Sequence, residues 1–151
     1  MTTIKRKKAD GKRKGKTAKP RSDGRRKVTG KAAESARKLA LAIAEAGLDK
    51  KAVNIEIIDV RGKVDYADFV VVMSGRSDRQ VTAIGRAIEE HVKKQLGVVC
   101  LGVEGLPHGN WVLMDFGEAI VHVFHEDTRG YYDLESLWID AARVQVEPAQ
   151  A

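Results

Sequence analysis

Few places in the 151-residue chain carry residue types that could do chemistry. Gly75-Arg76-Ser77 stands where an apolar run gives way to a helical pattern, and the free N–H groups at such a junction attract anions. The same position would hold the Gly-Ser signature of nucleotide transfer, which also needs a following Asp-x-Asp pair to hold two metal ions. Ser77 is instead followed by Asp78, Arg79 and Gln80, so the segment reads as a helix cap with a glycine turn. His122 and His125 lie on one predicted strand at a spacing that points them to opposite faces, which argues against a metal site. Cys100 sits in an apolar stretch with no Cys or His at ligand spacing and reads as a small core residue. Asp115 and Glu118 flank a tight turn, and Asp65 and Asp68 bracket Tyr66. Acids in such places usually serve turn and loop chemistry. The expectation is no catalytic residue, no metal and no cofactor.

Aromatic side chains remain. The chain has two Trp and three Tyr, and four of these five fall between Trp111 and Trp138, beside Asp115, Arg129 and Glu135. Large aromatics among charges are typical of the centre of a protein interface. They are also typical of a small core, so Trp111, Tyr132 and Trp138 each have two readings.

The elements that would position these residues follow from periodicity. Ala36, Leu39, Ala40, Ile43 and Ala44 keep helical spacing, with Gly47 as a stop. Val53–Val60 is β-branched and reads as a strand. Asp68–Met73 is a continuous apolar run, suited to a strand covered on both faces. Ser77 and Gln80 have capping-box spacing, and Val81, Ile84, Ile88, Val92 and Leu96 continue one helical face until Gly97. Val98–Val103, Trp111–Asp115 and Ala119–Phe124 read as strands, the last two joined by a tight hairpin at Phe116-Gly117. Leu134, Leu137, Trp138 and Ala141 predict a final helix over Tyr131–Ala142, capped by Asp127, Thr128 or Asp133. The fold class is α/β (α+β): a single domain with a mixed, roughly five-stranded sheet flanked by helices.

Charge divides the chain. Residues 1–30 carry 13 Lys/Arg against 2 Asp, a net of +11, while residues 31–151 carry 14 against 19 acids, a net of −5. The first segment has too few apolar groups to offset its ordering entropy and reads as a disordered basic arm. Residues 31–146 read as the domain, and 147–151 as a frayed tail. A basic arm on an acidic body suggests a polyanion partner for the arm, with Lys5, Arg6, Lys7, Lys8, Lys12, Arg13, Lys14, Arg25, Arg26 and Lys27 as candidate RNA contacts. One cysteine excludes an intrachain disulfide and suits a reducing compartment. No stretch approaches the roughly 20 apolar residues of a membrane helix. The expected location is the cytoplasm.

One family matches these residues in uninterrupted order. The match runs through Asp59-Val60, Asp68-Phe69-Val70-Val71, Ser74-Gly75-Arg76-Ser77 and Glu104-Gly105. It continues through Trp111-Val112-Leu113-Met114-Asp115, Val121-His122-Val123-Phe124, Arg129, Tyr132-Asp133-Leu134-Glu135 and Leu137-Trp138. From about Lys31 to Ala142 the chain resembles the ribosomal silencing factor family (RsfS, Iojap, YbeB). That resemblance implies a core like that of a nucleotidyltransferase without its catalytic carboxylates. It also implies binding to the large ribosomal subunit through ribosomal protein L-fourteen (uL14), a steric block to the small subunit, and repression of translation. Family members also form homodimers. Carried over by motif, the contact residues are Trp111, Asp115, Phe116, Gly117, Arg129, Tyr132 and Leu134. The long basic arm departs from the family pattern, and the resemblance implies nothing about it. The alternatives are a large-subunit assembly factor or a general ribosomal-RNA binder led by the arm, and a surviving nucleotidyltransferase.

Overall fold

The computed structural model describes residues 30–146. The expected arm, its candidate RNA contacts and the tail from 147 lie outside them.

The run 69–73 is apolar throughout, which suits burial in the middle of a sheet. It lies in β2 (Phe69–Gly75), and every residue of that strand is buried. On one side β2 pairs in parallel with β5 (Ala119–His125), from Phe69 opposite Ala119 to Gly75 opposite His125. On the other side it pairs antiparallel with β1 (Val53–Asp59). β4 (Trp111–Asp115) lies antiparallel to β5, and β3 (Gly102–Glu104) antiparallel to β4. A short β6 (Arg143–Val144) pairs with β1. The mixed sheet thus has six strands, in the order β3-β4-β5-β2-β1-β6, one more than expected. Two residues carry no visible periodicity, so β6 is not legible in the sequence.

Helices α1 (Gly30–Asp49) and α2 (Asp78–Leu96) supply the cover of one face. Ala36, Leu39, Ile43, Val81, Ile84, Ile88 and Val92 join Ile57, Val71, Met73, Val112, Met114 and Val121 in the larger core cluster. Burying each such side chain contributes roughly 1.5–3 kcal/mol. The α2 boundaries follow the sequence closely. Ser77 Oγ accepts the Gln80 N–H at 3.0 Å, and Gly97 closes the helix in the left-handed conformation, donating to the Lys93 carbonyl. Gly47, read as a stop, instead lies inside α1. A Cβ there would come within 2.5 Å of Met73 Sδ, so its smallness serves close packing on β2. The chain turns at Lys51, with φ 65°.

The other face is covered by the chain after β5. Helix α3 (Glu126–Tyr132) is followed by a 3-10 helix at Leu134–Trp138, in place of one helix over Tyr131–Ala142. Asp133 takes a left-handed φ of 47° and ends α3, which breaks the expected helix in two. The cap is also unexpected: His125 Nδ1 accepts the Asp127 N–H at 3.2 Å. Trp138 and Ala141 are buried with Ile58, Val60, Val70, Val72 and Phe124 in a second cluster. The strand expected at Val98–Val103 starts only at Gly102. Its partner β4 ends at Asp115, opposite Gly102, so earlier residues have nothing to pair with beyond the closing Leu101 N–H bond to the Asp115 carbonyl.

Candidate functional site

Strand alternation decides which side chains of β4 meet which face. Val112 and Met114 are buried beneath the helices, whereas Trp111, Leu113 and Asp115 are half-buried on the opposite face. In the register Trp111 stands opposite Phe124, Leu113 opposite His122 and Asp115 opposite Ile120. Ile120 is likewise half-buried. The α3 and 3-10 segment leaves this part of the sheet face incompletely covered.

Trp111 lies at the margin between the covered and open parts. Its indole packs on Phe124 at 4.8 Å and on Tyr132 at 4.9 Å between ring centroids. Its Nε1–H donates to His122 Nδ1 at 3.0 Å. His122 is buried, and burial pushes its imidazole down to about 4, against a weaker opposing pull from Glu135. It is therefore neutral at pH 7, and because Nδ1 accepts, the ring proton sits on Nε2. The bond orients Trp111 and satisfies a polar atom inside the sheet.

Outward from Trp111, residues Asn110, Asp127, Thr128, Tyr131 and Tyr132 complete the lining of a shallow open cleft of about 380 Å³. Tyr131 is 82% exposed and Tyr132 53%, and the two rings meet edge to face at 5.0 Å. Further along, Leu137 and Ile139 are 69% and 80% exposed. The charge of the segment itself is mostly acidic, with Lys63 of the β1–β2 connection reaching Asp140 at 3.4 Å. Residues 126–140 include Glu126, Asp127, Asp133, Glu135 and Asp140, and a single cation, Arg129.

Arg129 does not face the cleft. It is buried, with Nε 2.8 Å from Glu135 Oε2 and Nη1 3.0 Å from Ser74 Oγ. Nη1 also donates to the Asn54 carbonyl, and Nη2 lies 3.7 Å from Glu56 Oε2. Asn54 has a left-handed φ of 54° within a bulge of β1. The guanidinium fork thus clamps α3 to β1 and β2. The surface the C-terminal segment exposes consequently carries apolar and acidic residues.

The expected contact residues separate accordingly. Trp111 and Tyr132 come together and line the cleft. Leu134 is half-buried against the second cluster. Asp115 is half-buried, and its Oδ1 accepts the Gly117 N–H at 2.8 Å to brace the hairpin. Phe116, expected at the interface, is buried in the larger core, because the turn folds its ring under the sheet edge. Arg129, expected to set register with a partner, is turned inward by three hydrogen-bond acceptors and the Glu56 carboxylate. Sequence reasoning missed Tyr131, Asp127 and the half-open pair Leu113 and Ile120. The alternation along β4 and β5 was the signal that could have found the last two.

The phosphate-like turn is occupied by the protein itself. Gln80 Oε1 accepts the Arg76 N–H at 2.6 Å, and its Nε2 donates to the carbonyls of Lys50 and Lys51, each at 3.1 Å. Among the described residues no group of three or more His, Cys, Asp or Glu could hold a metal ion, and no helix is long and apolar enough to cross a membrane.

The family described as "Ribosomal silencing factor during starvation" matches residues 33–151. The chain is 40% identical over 99 residues to the ribosomal silencing factor RsfS of Halalkalibacterium halodurans, covering 66% of this chain and 84% of that protein. With the RsfS of Bacillus subtilis it shares 43% identity over 93 residues, covering 62% and 78%. A crystal structure of a Chromobacterium violaceum protein superposes with a TM-score of 0.63 at 33% identity, covering 78% of this chain and 95% of that one.

Proposed function

The chain belongs to the ribosomal silencing factor family, whose role is ribosome-associated silencing of translation, and on that premise we propose that it binds the large subunit through ribosomal protein L-fourteen and sterically excludes the small subunit. The observation that carries the molecular part of this reading is the cleft of Trp111, Tyr131 and Tyr132 on an acidic, apolar segment. Exposed rigid aromatics offer large contact area at low entropic cost, and hot spots at protein interfaces are enriched in them. The surrounding carboxylates repel nucleic-acid phosphates and favour a basic protein surface, so this face is suited to a ribosomal protein rather than to RNA.

In this reading Trp111, Tyr132 and Tyr131 supply the anchor, with Leu134, Leu113 and Ile120 as flanking apolar contact. Asp115 and Gly117 present the hairpin, while Phe116 and Arg129 hold the surface in shape from within. The protein works by occupancy, without catalysis or cofactor, in the cytoplasm. Residues 31–146 form the binding body, and the arm 1–30 adds a ribosomal-RNA tether.

Calorimetric titration of the full chain with isolated L-fourteen tests the proposal. Saturable one-to-one binding that weakens at least tenfold in Tyr132→Ala is expected. No heat and no complex at moderate salt would remove L-fourteen as the partner.

A further inference from the structure

The body has a second charged face beside the first. β2 and β5 end together, with Gly75 opposite His125, so the residues after each strand emerge at one end of the sheet. After β5 come Asp127, Tyr131 and Tyr132 of the acidic cleft. After β2 come Arg76 and Arg79, and the turn after α1 places Lys50 and Lys51 against them. All four cationic residues are exposed. Among the described residues none of the four side chains is engaged in a hydrogen bond or ion pair.

The cluster is built rather than scattered. The Gln80 side chain ties the two segments together through Arg76 N–H, Lys50 O and Lys51 O. The Lys50-Lys51 turn is braced by bonds from Lys50 N–H to the Gly47 carbonyl at 3.1 Å and from Lys51 N–H to the Leu48 carbonyl at 2.9 Å. Two exposed acids, Asp49 and Asp78, share these segments, leaving a net of two positive charges on a body whose net charge is negative.

We infer that Lys50, Lys51, Arg76 and Arg79 form a phosphate-backbone contact for RNA, made by the folded body itself and independent of the basic arm. A protein that neutralises phosphates with Lys and Arg releases condensed counterions, and affinity then falls with salt in proportion to the contacts made. The adjacent acidic cleft repels the same backbone, so the end of the sheet is bipolar. Protein is favoured on the α3 side and RNA on the α2 side. The inference rests on the ribosome-binding reading above and adds a second partner class to it.

The test compares the full chain with its Lys50→Ala/Lys51→Ala/Arg76→Ala/Arg79→Ala variant, both binding purified large subunits across a salt series and both binding isolated L-fourteen. Among the described residues the four side chains make no hydrogen bonds or ion pairs, so the variant should unfold at the temperature of the parent. Its log affinity for the subunit should fall with log salt along a slope shallower by about 3, corresponding to four lost phosphate contacts, while binding to L-fourteen stays within twofold. An unchanged subunit affinity and slope would overturn the inference and leave the proposed function standing. An equal loss on isolated L-fourteen would also overturn it, by assigning the patch to the protein partner.

Discussion

Trp111 and His122 are joined by a 3.0 Å hydrogen bond from the indole N–H to Nδ1, which links the open cleft to the interior of the sheet. The acceptor must be neutral for this bond to exist, and burial keeps it so.

That requirement gives a pH dependence. His122 has a folded pKa of about 4 against an ordinary 6.5. The folded value is the lower, so protonation favours the unfolded chain. The contribution of the neutral ring is complete above pH 6.5 and is lost as pH falls towards 4, amounting to about 3 kcal/mol. Urea denaturation at pH 7 and pH 4.5 should show a drop in the parent larger by about 2 kcal/mol than in His122→Asn. Equal drops would mean that His122 is not held neutral by the fold.

Arg129 should behave as a bracket. Arg129→Ala leaves the Ser74 hydroxyl, the Asn54 carbonyl and the Glu135 carboxylate without their donor, and one oxygen of Glu135 already has no partner among the described residues. Breaking a buried charge network from one side costs about 3–5 kcal/mol. Thermal and urea unfolding measure this, and a loss below about 1 kcal/mol would contradict the buried clamp.

Tyr131 and Tyr132 should behave oppositely. Both are exposed, so truncation to Ala should change stability by less than about 1 kcal/mol. Binding to the large subunit should weaken at least tenfold for Tyr132→Ala and further for the double variant. Undiminished binding by the double variant would move the interface away from the cleft.

Two glycines that share positive φ separate strain from collision. At Gly117, with φ 86°, an added Cβ meets only Leu101 Cδ1 at 3.7 Å, so Gly117→Ala should cost only the left-handed penalty of about 1–2 kcal/mol. At Gly105, with φ 99°, a Cβ would lie 2.0 Å from the Trp111 carbonyl oxygen. Gly105→Ala must therefore displace the start of β4, and should cost clearly more than Gly117→Ala and also weaken subunit binding. Equal melting temperatures for the two variants would contradict the close approach.

Much of this fold is legible in the sequence. The apolar run 69–73 predicted a central strand, and β2 is the most buried of the six. Ser77, Gln80 and Gly97 predicted both ends of α2 because caps are local chemistry. The C-terminal segment was not legible, since Leu134, Leu137, Trp138 and Ala141 fit helical spacing while Asp133 turns left-handed between α3 and the 3-10 helix. Gly47 was misread for a related reason: its role is set by Met73 of a strand distant in sequence. Of the expected contacts, Trp111 and Tyr132 meet at the cleft, but Phe116 and Arg129 face inward. Motif order carries the identity of such residues, and only packing reveals which way each side chain points. The close approach of Gly109 to the Asp78 carbonyl is likewise a tertiary contact invisible in sequence.

The central claim is that this chain occupies the large subunit and keeps the small one away. Sucrose-gradient sedimentation of purified large and small subunits mixed with the full chain tests it most directly. The account predicts that the protein travels with the large subunit and that the yield of joined ribosomes falls as its concentration rises. Joined ribosomes at undiminished yield, with the protein left at the top of the gradient at moderate salt, would contradict it.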